Sequence, residues 1–246
     1  MTADFLLIDN SNSFTKFALS TRQVVGVSRK LATRTITPDA LKNVLSGWQW
    51  ETAVLCSVVP EIGERIVEYL GPRPVLRVTA KVQLGVGVDY PKPATIGADR
   101  LANAAAAWAR FGGPVVVVDF GTAVSFDVVS AEGKYVGGVI APGLEAMTHY
   151  LHTRTALLPE ITLLEPPSAI GKSTKHAMLS GAVHGYRGLV REILREIGAE
   201  LGQPRKLAVV ATGGYAELIA AKLPEIRQVI PELTLDGLRI IGTLNA

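Results

Sequence analysis

Short apolar runs alternate with longer, helix-periodic stretches along the whole chain. Residues 5–9 read as a buried strand ending on an acid, 10–13 as a tight polar turn, and 14–19 and about 24–28 as further strands. Thr37-Pro38-Asp39 offers a cap followed by a proline suited to a first turn, which predicts a helix after it. A strand around Cys56, a helix over 60–70 and a strand near 75–78 come next. The second half opens with a helix over 99–111, where Ala104-Ala105-Ala106-Ala107 is a strong helix former and Gly112-Gly113-Pro114 marks the end. Strands over 115–119, 125–129 and 135–140 are joined by short turns. Leu179, Val183, Leu189, Val190, Ile193, Leu194 and Ile197 recur at helical spacing and predict a helical region over 172–201. Gly181, Gly185 and Gly188 inside it predict a break or an unusually close helix contact. A strand over 207–211, a helix over 215–223 and a final helix from about 235 complete an α/β pattern.

The pattern contains a repeat. Leu6-Leu7-Ile8-Asp9, a polar turn and a second strand recur as Val116-Val117-Val118-Asp119, a Gly-Thr turn and Ser125-Phe126-Asp127-Val128-Val129, 110 positions later (119 minus 9). Each copy is an apolar strand that delivers an aspartate to a tight turn. Two copies predict a duplicated βββαβαβ architecture with both aspartates facing a common cleft.

Composition narrows the classes. The 246 residues are 48% hydrophobic and 19% charged, the reverse of a disordered chain, and the length suits one large domain or two related halves. Mean hydropathy is +0.28, yet the apolar runs stop early, as at Asp119 and Thr212, well short of the roughly 20 residues a spanning helix requires. The opening residues carry acids on both sides of a four-residue apolar run and no basic leader, which argues against a secretory signal and for a cytoplasmic protein. One cysteine, Cys56, permits no intrachain disulfide. A net charge of +3 without a Lys/Arg block argues against a nucleic-acid partner.

Among the chemical motifs, Gly171-Lys172-Ser173-Thr174 has the ending of a P-loop, but Pro166 stands where the first glycine belongs, and Gly85-Val86-Gly87 lacks the third glycine of a dinucleotide fingerprint. His149 and His152 have only Glu145 nearby as a further donor, too little for zinc. Asp119-Phe120-Gly121-Thr122-Ala123 is more specific: a glycine admits a phosphate to backbone N–H groups, Thr122 adds a hydroxyl, and Asp119 can hold a cation. Asp9-Asn10-Ser11-Asn12-Ser13 offers the same chemistry, with Lys16 just beyond. Thr212-Gly213-Gly214 sits between a strand and a helix, where α/β folds place nucleotides. Asp99, beside Arg100 and after the stiff Tyr90-Pro91-Lys92-Pro93 loop, is suited to accept a hydroxyl proton.

Taken in order, Asp9, Asn12, Lys16, Tyr90-Pro91, Gly97-Ala98-Asp99-Arg100-Leu101-Ala102-Asn103, Asp119-Phe120-Gly121-Thr122-Ala123, Gly137-Gly138-Val139-Ile140-Ala141-Pro142-Gly143, Gly171-Lys172-Ser173-Thr174 and Thr212-Gly213-Gly214 resemble the type III pantothenate kinases. The resemblance spans about residues 8–238 and implies an α/β fold of duplicated ribonuclease H-like (actin-like ATPase) halves with a nucleotide cleft between them. We divide the sequence into an N-terminal half over 1–98 and a C-terminal half over 99–246 that carries a dimer interface. The implied activity is phosphorylation of pantothenate by ATP, with Mg2+, a monovalent cation (K+ or NH4+) and a homodimer. Carried over by position, Asp99 is the catalytic base. Asp9, Asn10, Ser11, Asn12, Ser13, Phe14, Thr15 and Lys16 form the first phosphate loop, with Asp9 reaching Mg2+ through water, and Thr122 is a further ATP contact. Asp119 holds the monovalent cation. Tyr90, Gly97, Ala98, Asp99, Arg100 and Thr174 contact pantothenate.

One departure stands out: Ser11 replaces the glycine of the family's Asp-x-Gly-Asn-Thr loop, adding a Cβ where the backbone passes a phosphate. Two alternatives therefore stay open, a non-catalytic ligand-binding regulator and a kinase for another small hydroxy or acid substrate.

Overall fold

Each apolar run read as a strand falls in a strand of the computed structural model, which describes residues 3–202 and 206–246. In chain order the elements are β1 (Ala3–Asn10), β2 (Phe14–Ser20), β3 (Val25–Ala32), α1 (Pro38–Val44), β4 (Trp50–Ser57), α2 (Pro60–Leu70), β5 (Val75–Arg77), β6 (Gly87–Val88) and α3 (Ala98–Phe111). They continue with β7 (Val115–Phe120), β8 (Ala123–Val129), β9 (Lys134–Pro142), α4 (Leu144–Arg154), α5 (Thr174–Glu200), β10 (Ala208–Thr212), α6 (Ala216–Ala220), β11 (Gln228–Val229) and α7 (Leu233–Asn245). Local chemistry sets several of these ends. The Thr37 side chain accepts from the Ala40 N–H at α1, and Gly112 closes α3 with φ +66°.

The residues divide into two compact units. The first holds the described residues up to Gly112 together with Gly133–Val136 and Glu232–Ala246; the second holds Gly113–Glu132 and Gly137–Pro231. This is not a single cut of the sequence at residue 98, because α3 and the C-terminal α7 both pack with the first unit.

In the first unit the sheet order is β3-β2-β1-β4-β5, with β1 antiparallel to β2 and parallel to β4. In the second the strands run β9-β8-β7-β10-β11, with β7 antiparallel to β8 and parallel to β10. The two orders are the same once β7 is matched to β1. Registers correspond as well: Asp9 faces Lys16 and Cys56, and Asp119 faces Ser125 and Thr212. The sequence repeat is therefore a structural duplication.

Alternation along the strands divides each sheet's faces. Leu6, Ile8, Phe17, Ala53 and Leu55 pack against α1 and α2 through Leu41, Val44, Ile62 and Ile66. The other face of that sheet receives α7, where a Cβ added to Gly242 would lie 2.9 Å from Val54 and 3.4 Å from Phe5. Helix α7 also meets α3 so closely that a Cβ on Gly237 would stand 2.0 Å from the Ala102 carbonyl oxygen. In the second unit Val116, Val118, Phe120, Phe126 and Val209 pack against Val183, Tyr186, Val190 and Leu194 of α5.

Two expectations needed revision. Helix α5 runs unbroken for 27 residues, and a Cβ at Gly181, Gly185 or Gly188 would meet nothing within 4 Å. Its buried stripe sustains the helix, while the three glycines lie on an exposed side. Helix α4 was not foreseen, since Met147, Tyr150 and Leu151 are exposed apolar residues and leave no one-sided pattern to read. The two-residue strands β6 and β11 are likewise too short to carry a period.

Candidate active site

The turn after β1 is built by buried hydroxyls and one amide. Asn10 is fully buried; its Nδ2 donates to Thr15 Oγ1 at 2.8 Å and its Oδ1 accepts from Ser57 Oγ at 2.7 Å. Thr33 bonds Thr15 at 3.0 Å and donates to the Ser11 carbonyl at 2.6 Å, so the short turn after β3 holds the loop in place. Asn10 and Thr15 thus serve the scaffold of the loop, while Asn12, Ser13 and Phe14 are exposed. Asp9 is buried at the strand end, and Ser11 Oγ donates to its Oδ1 at 3.0 Å. Among the described residues none but glycine has positive φ, so Ser11 needs no glycine conformation and its hydroxyl engages the adjacent carboxylate. The strain expected of this substitution is absent. Lys16 ion-pairs with Glu232 at 3.2 Å.

Asp99 sits in the first turn of α3, where the helix dipole favours an anion. Its Oδ1 accepts the Arg100 N–H at 2.8 Å. Burial pushes its carboxyl above the ordinary aspartate value, with the Arg100 N–H and charge partly offsetting that rise. Gly97 makes room for this carboxylate, since a Cβ there would lie 2.5 Å from Asp99 Oδ1. Arg100 and Tyr90 converge on one ring: the guanidinium lies 5.6 Å from the Tyr135 centroid, and the Tyr90 and Tyr135 centroids are 6.2 Å apart at 56°. Tyr135 is fully buried, and its carbonyl accepts the Asp89 N–H at 2.9 Å, as β6 pairs with the start of β9. The sequence reading missed Tyr135, although its place in the strand before Gly137-Gly138 was a usable signal.

In the second unit Asp119, half-buried, stands one residue before the end of β7. Gly213, at φ +94°, lies against it: a Cβ there would be 2.6 Å from Asp119 Oδ1 and from Phe120 backbone atoms. Gly143 approaches from another side, where a Cβ would be 2.2 Å from the Thr122 carbonyl and 2.7 Å from that of Gly121. Asp119 and the Thr212-Gly213-Gly214 turn are therefore brought together, while the carbonyl oxygens of Gly121 and the exposed Thr122 lie against Gly143. Asp127, fully buried on the same sheet face as Asp119, accepts from Ser125 Oγ at 3.4 Å and is a second carboxylate the motif reading had not singled out.

Thr174 is exposed at the first turn of α5. Ser173 caps this helix by accepting the His176 N–H, so the Gly-Lys-Ser-Thr run is a helix start and no phosphate loop. His149 lines a cavity of about 360 Å3 with Glu145, Glu160 and Tyr215. His152 Nδ1 lies 3.0 Å from the Leu158 carbonyl oxygen. No group of three or more His, Cys, Asp or Glu side chains placed to hold a metal occurs among the described residues. Asp9 and Asp119 each offer hard oxygen donors of the kind that hold a cation with help from phosphate or carbonyl oxygens.

These features define a class: two copies of one βββαβαβ plan, each delivering an aspartate to a tight turn, the fold of actin-like ATPases and sugar kinases. Solved structures with this fold include a candidate Baf family transcriptional activator from Campylobacter jejuni (TM-score 0.62, 18% identity, 96% of both chains) and the inorganic polyphosphate/ATP-glucomannokinase of Arthrobacter sp. strain KM (TM-score 0.52, 16% identity, 100% of both chains). The family model for type III pantothenate kinase matches residues 5–196. The type III pantothenate kinase of Akkermansia muciniphila is 52% identical over 98% of this chain and 99% of its own length, and that of Methylacidiphilum infernorum is 42% identical over 97% and 88%. The chain belongs to the type III pantothenate kinase family.

Proposed function

We propose that the protein transfers the γ-phosphoryl group of ATP to the primary alcohol of pantothenate, the first step toward coenzyme A, with Asp99 as the base. The observation that carries this reading is Asp99 itself, held at the start of α3 in a space only Gly97 provides, beside Arg100 and Tyr90 on a common aromatic support.

Phosphoryl transfer passes through a loose transition state, so catalysis is mainly positioning and charge neutralisation. The pantothenate hydroxyl oxygen bonds to the γ-phosphorus as the bond from that phosphorus to the β,γ-bridging oxygen breaks, releasing ADP, and the hydroxyl proton passes to Asp99. Arg100 and Tyr90 orient the acceptor with Gly97 and Ala98, and Thr174, carried over from the family, is a further pantothenate contact that can serve the neighbouring subunit's site. The exposed side of the turn from Asp9 to Lys16 binds phosphate oxygens, as does Thr122. A divalent metal, Mg2+ in this reading, would be held by Asp9 and would neutralise phosphate charge. K+ or NH4+ would be held by Asp119, whose carboxylate is a hard oxygen donor, and would offset phosphate charge there. The ordinary backbone at Ser11 supports retained turnover over a purely regulatory role.

The same reading makes the protein a cytoplasmic homodimer. No helix among the described residues is long and apolar enough to cross a membrane. Tyr150 at 63% exposure, Leu157 at 90% and Ile170 at 79% are exposed apolar residues on α4 and in the segment after it, and the open glycine side of α5 offers close approach to a second copy.

The test is ADP release from ATP and Mg2+ with pantothenate, with and without K+, beside sugars and acetate. Pantothenate-dependent, K+-stimulated ADP release is expected; no ADP with any acceptor would overturn the reading.

A further inference from the structure

Strand geometry collects three side chains on one face of the first unit's sheet. Asp9 on β1 pairs with Lys16 on β2, and directly opposed residues of an antiparallel ladder share a face. Ser28 on β3 pairs with Ala18, two residues beyond Lys16, and so lies on that face as well. This is the face that receives α7, since Val54 and Phe5, which meet Gly242, share the parity of Asp9. Glu232 stands just ahead of α7 and reaches both neighbouring strands. Its Oε2 accepts from Lys16 Nζ at 3.2 Å and its Oε1 from Ser28 Oγ at 2.9 Å. The paired side chains keep 30% and 44% of their exposure, so an incoming anion has access to them.

We propose that Glu232 is a positioning residue that holds the Lys16 ammonium beside the Asp9 turn and yields it to the phosphates of the bound nucleotide, setting nucleotide affinity below what Lys16 alone would provide. This inference rests on the reading of the turn as the ATP site. A lysine is a compact charge on a flexible stem and can turn from one anion to another. Ser28 holds the carboxylate in place as Lys16 leaves. Glu232 opposes nucleotide binding twice, by competing for Lys16 and by repelling the triphosphate, and both effects have the same sign.

Glu232→Gln keeps the volume and an acceptor for Ser28 while removing the charge. Calorimetric titration of the full-length protein with a non-hydrolysable ATP analogue and Mg2+ is expected to give a Kd lowered roughly 2- to 5-fold in E232Q, about what an exposed ion pair contributes. The gain should shrink at high salt. It should be smaller in a Lys16→Met background, where only the relief of repulsion remains, and Ser28→Ala should act in the same direction but less. Thermal melts check that each variant is folded. An unchanged or raised Kd in E232Q overturns the proposal, as does an equal gain in the Lys16→Met background. Absence of analogue binding to the wild-type protein is a different outcome, and it removes the nucleotide-site reading beneath the proposal.

Discussion

Asp99 joins two opposing influences, a burial that favours its neutral form and a helix start and arginine that favour its charge. Because burial prevails, the acid limb of kcat/KM should have its midpoint above the ordinary aspartate value of 3.8. Below that midpoint Asp99 is protonated and accepts nothing. Asp99→Asn should lower kcat by about 10²- to 10⁴-fold with the fold retained. The sign for stability is opposite. A folded-state pKa above the unfolded one means that stability is lost as pH rises through it, so Asp99→Asn should melt at or above the wild-type temperature at pH 7 and lose that advantage in acid. A lower melting temperature at pH 7 would contradict this. Gly213→Ala should abolish K+ stimulation, since its Cβ would strike Asp119 and φ +94° is unfavourable for alanine; unaltered K+ dependence would separate Asp119 from the cation. The places of Asp9, Asp99 and Asp119, near strand ends or at a helix start, were legible in the sequence because strand-to-turn boundaries and helix starts are local signals. Tyr135 and Glu232 were not, because each acts through partners far away in sequence.

Helices α3 and α7 meet through backbone, with the Thr234 hydroxyl donating to the buried Asn103 Oδ1 at 2.8 Å and Gly237 over Ala102. Gly237→Ala has no flexible atom to displace and should destabilise by about 3 kcal/mol or more, read in a denaturant melt. In the second unit Arg187, 5% exposed, donates to both oxygens of Glu165 and to the Leu218 and Ile219 carbonyls, tying the segment before α5 to α6. Arg187 and Lys222 draw the Glu165 carboxyl down to about 2. Stability from this cluster is therefore present above the unfolded value near 4.5 and lost as pH falls toward 2. In Arg187→Leu that acid sensitivity should shrink to what Lys222 still supplies, and an unchanged stability-versus-pH curve below 4.5 would refute the coupling. Helix positions with one buried face were readable; α4 was not, because its apolar residues look outward.

For the whole molecule, duplication has a consequence for how mutations are compared. Lys16 and Ser125 occupy the same ladder position opposite their aspartates, as do Cys56 and Thr212, so one plan carries different side chains for different tasks. The proposed homodimer is tested at the exposed apolar residues of α4 and the segment after it. Tyr150→Asp combined with Leu157→Asp should convert a dimer to a monomer in analytical ultracentrifugation while the melting temperature of the monomer stays cooperative. A wild-type monomer at micromolar concentration would overturn the dimer.

The sequence by itself determined the strand and helix succession apart from α4, β6 and β11, the repeat and the aspartate-bearing turns, because these depend on residues within a few positions of one another. Period, caps and glycines are local signals. Tertiary structure decided what rests on distant partners: that α3 and α7 join the first unit, that the glycines of α5 face outward, and that Ser11 sits without strain. It also decided that Tyr135 supports Tyr90 and Arg100, and that Glu232, 216 positions from Lys16, shares its charge. Those outcomes depend on which faces are buried against one another, a balance of packing and desolvation that local pattern does not encode.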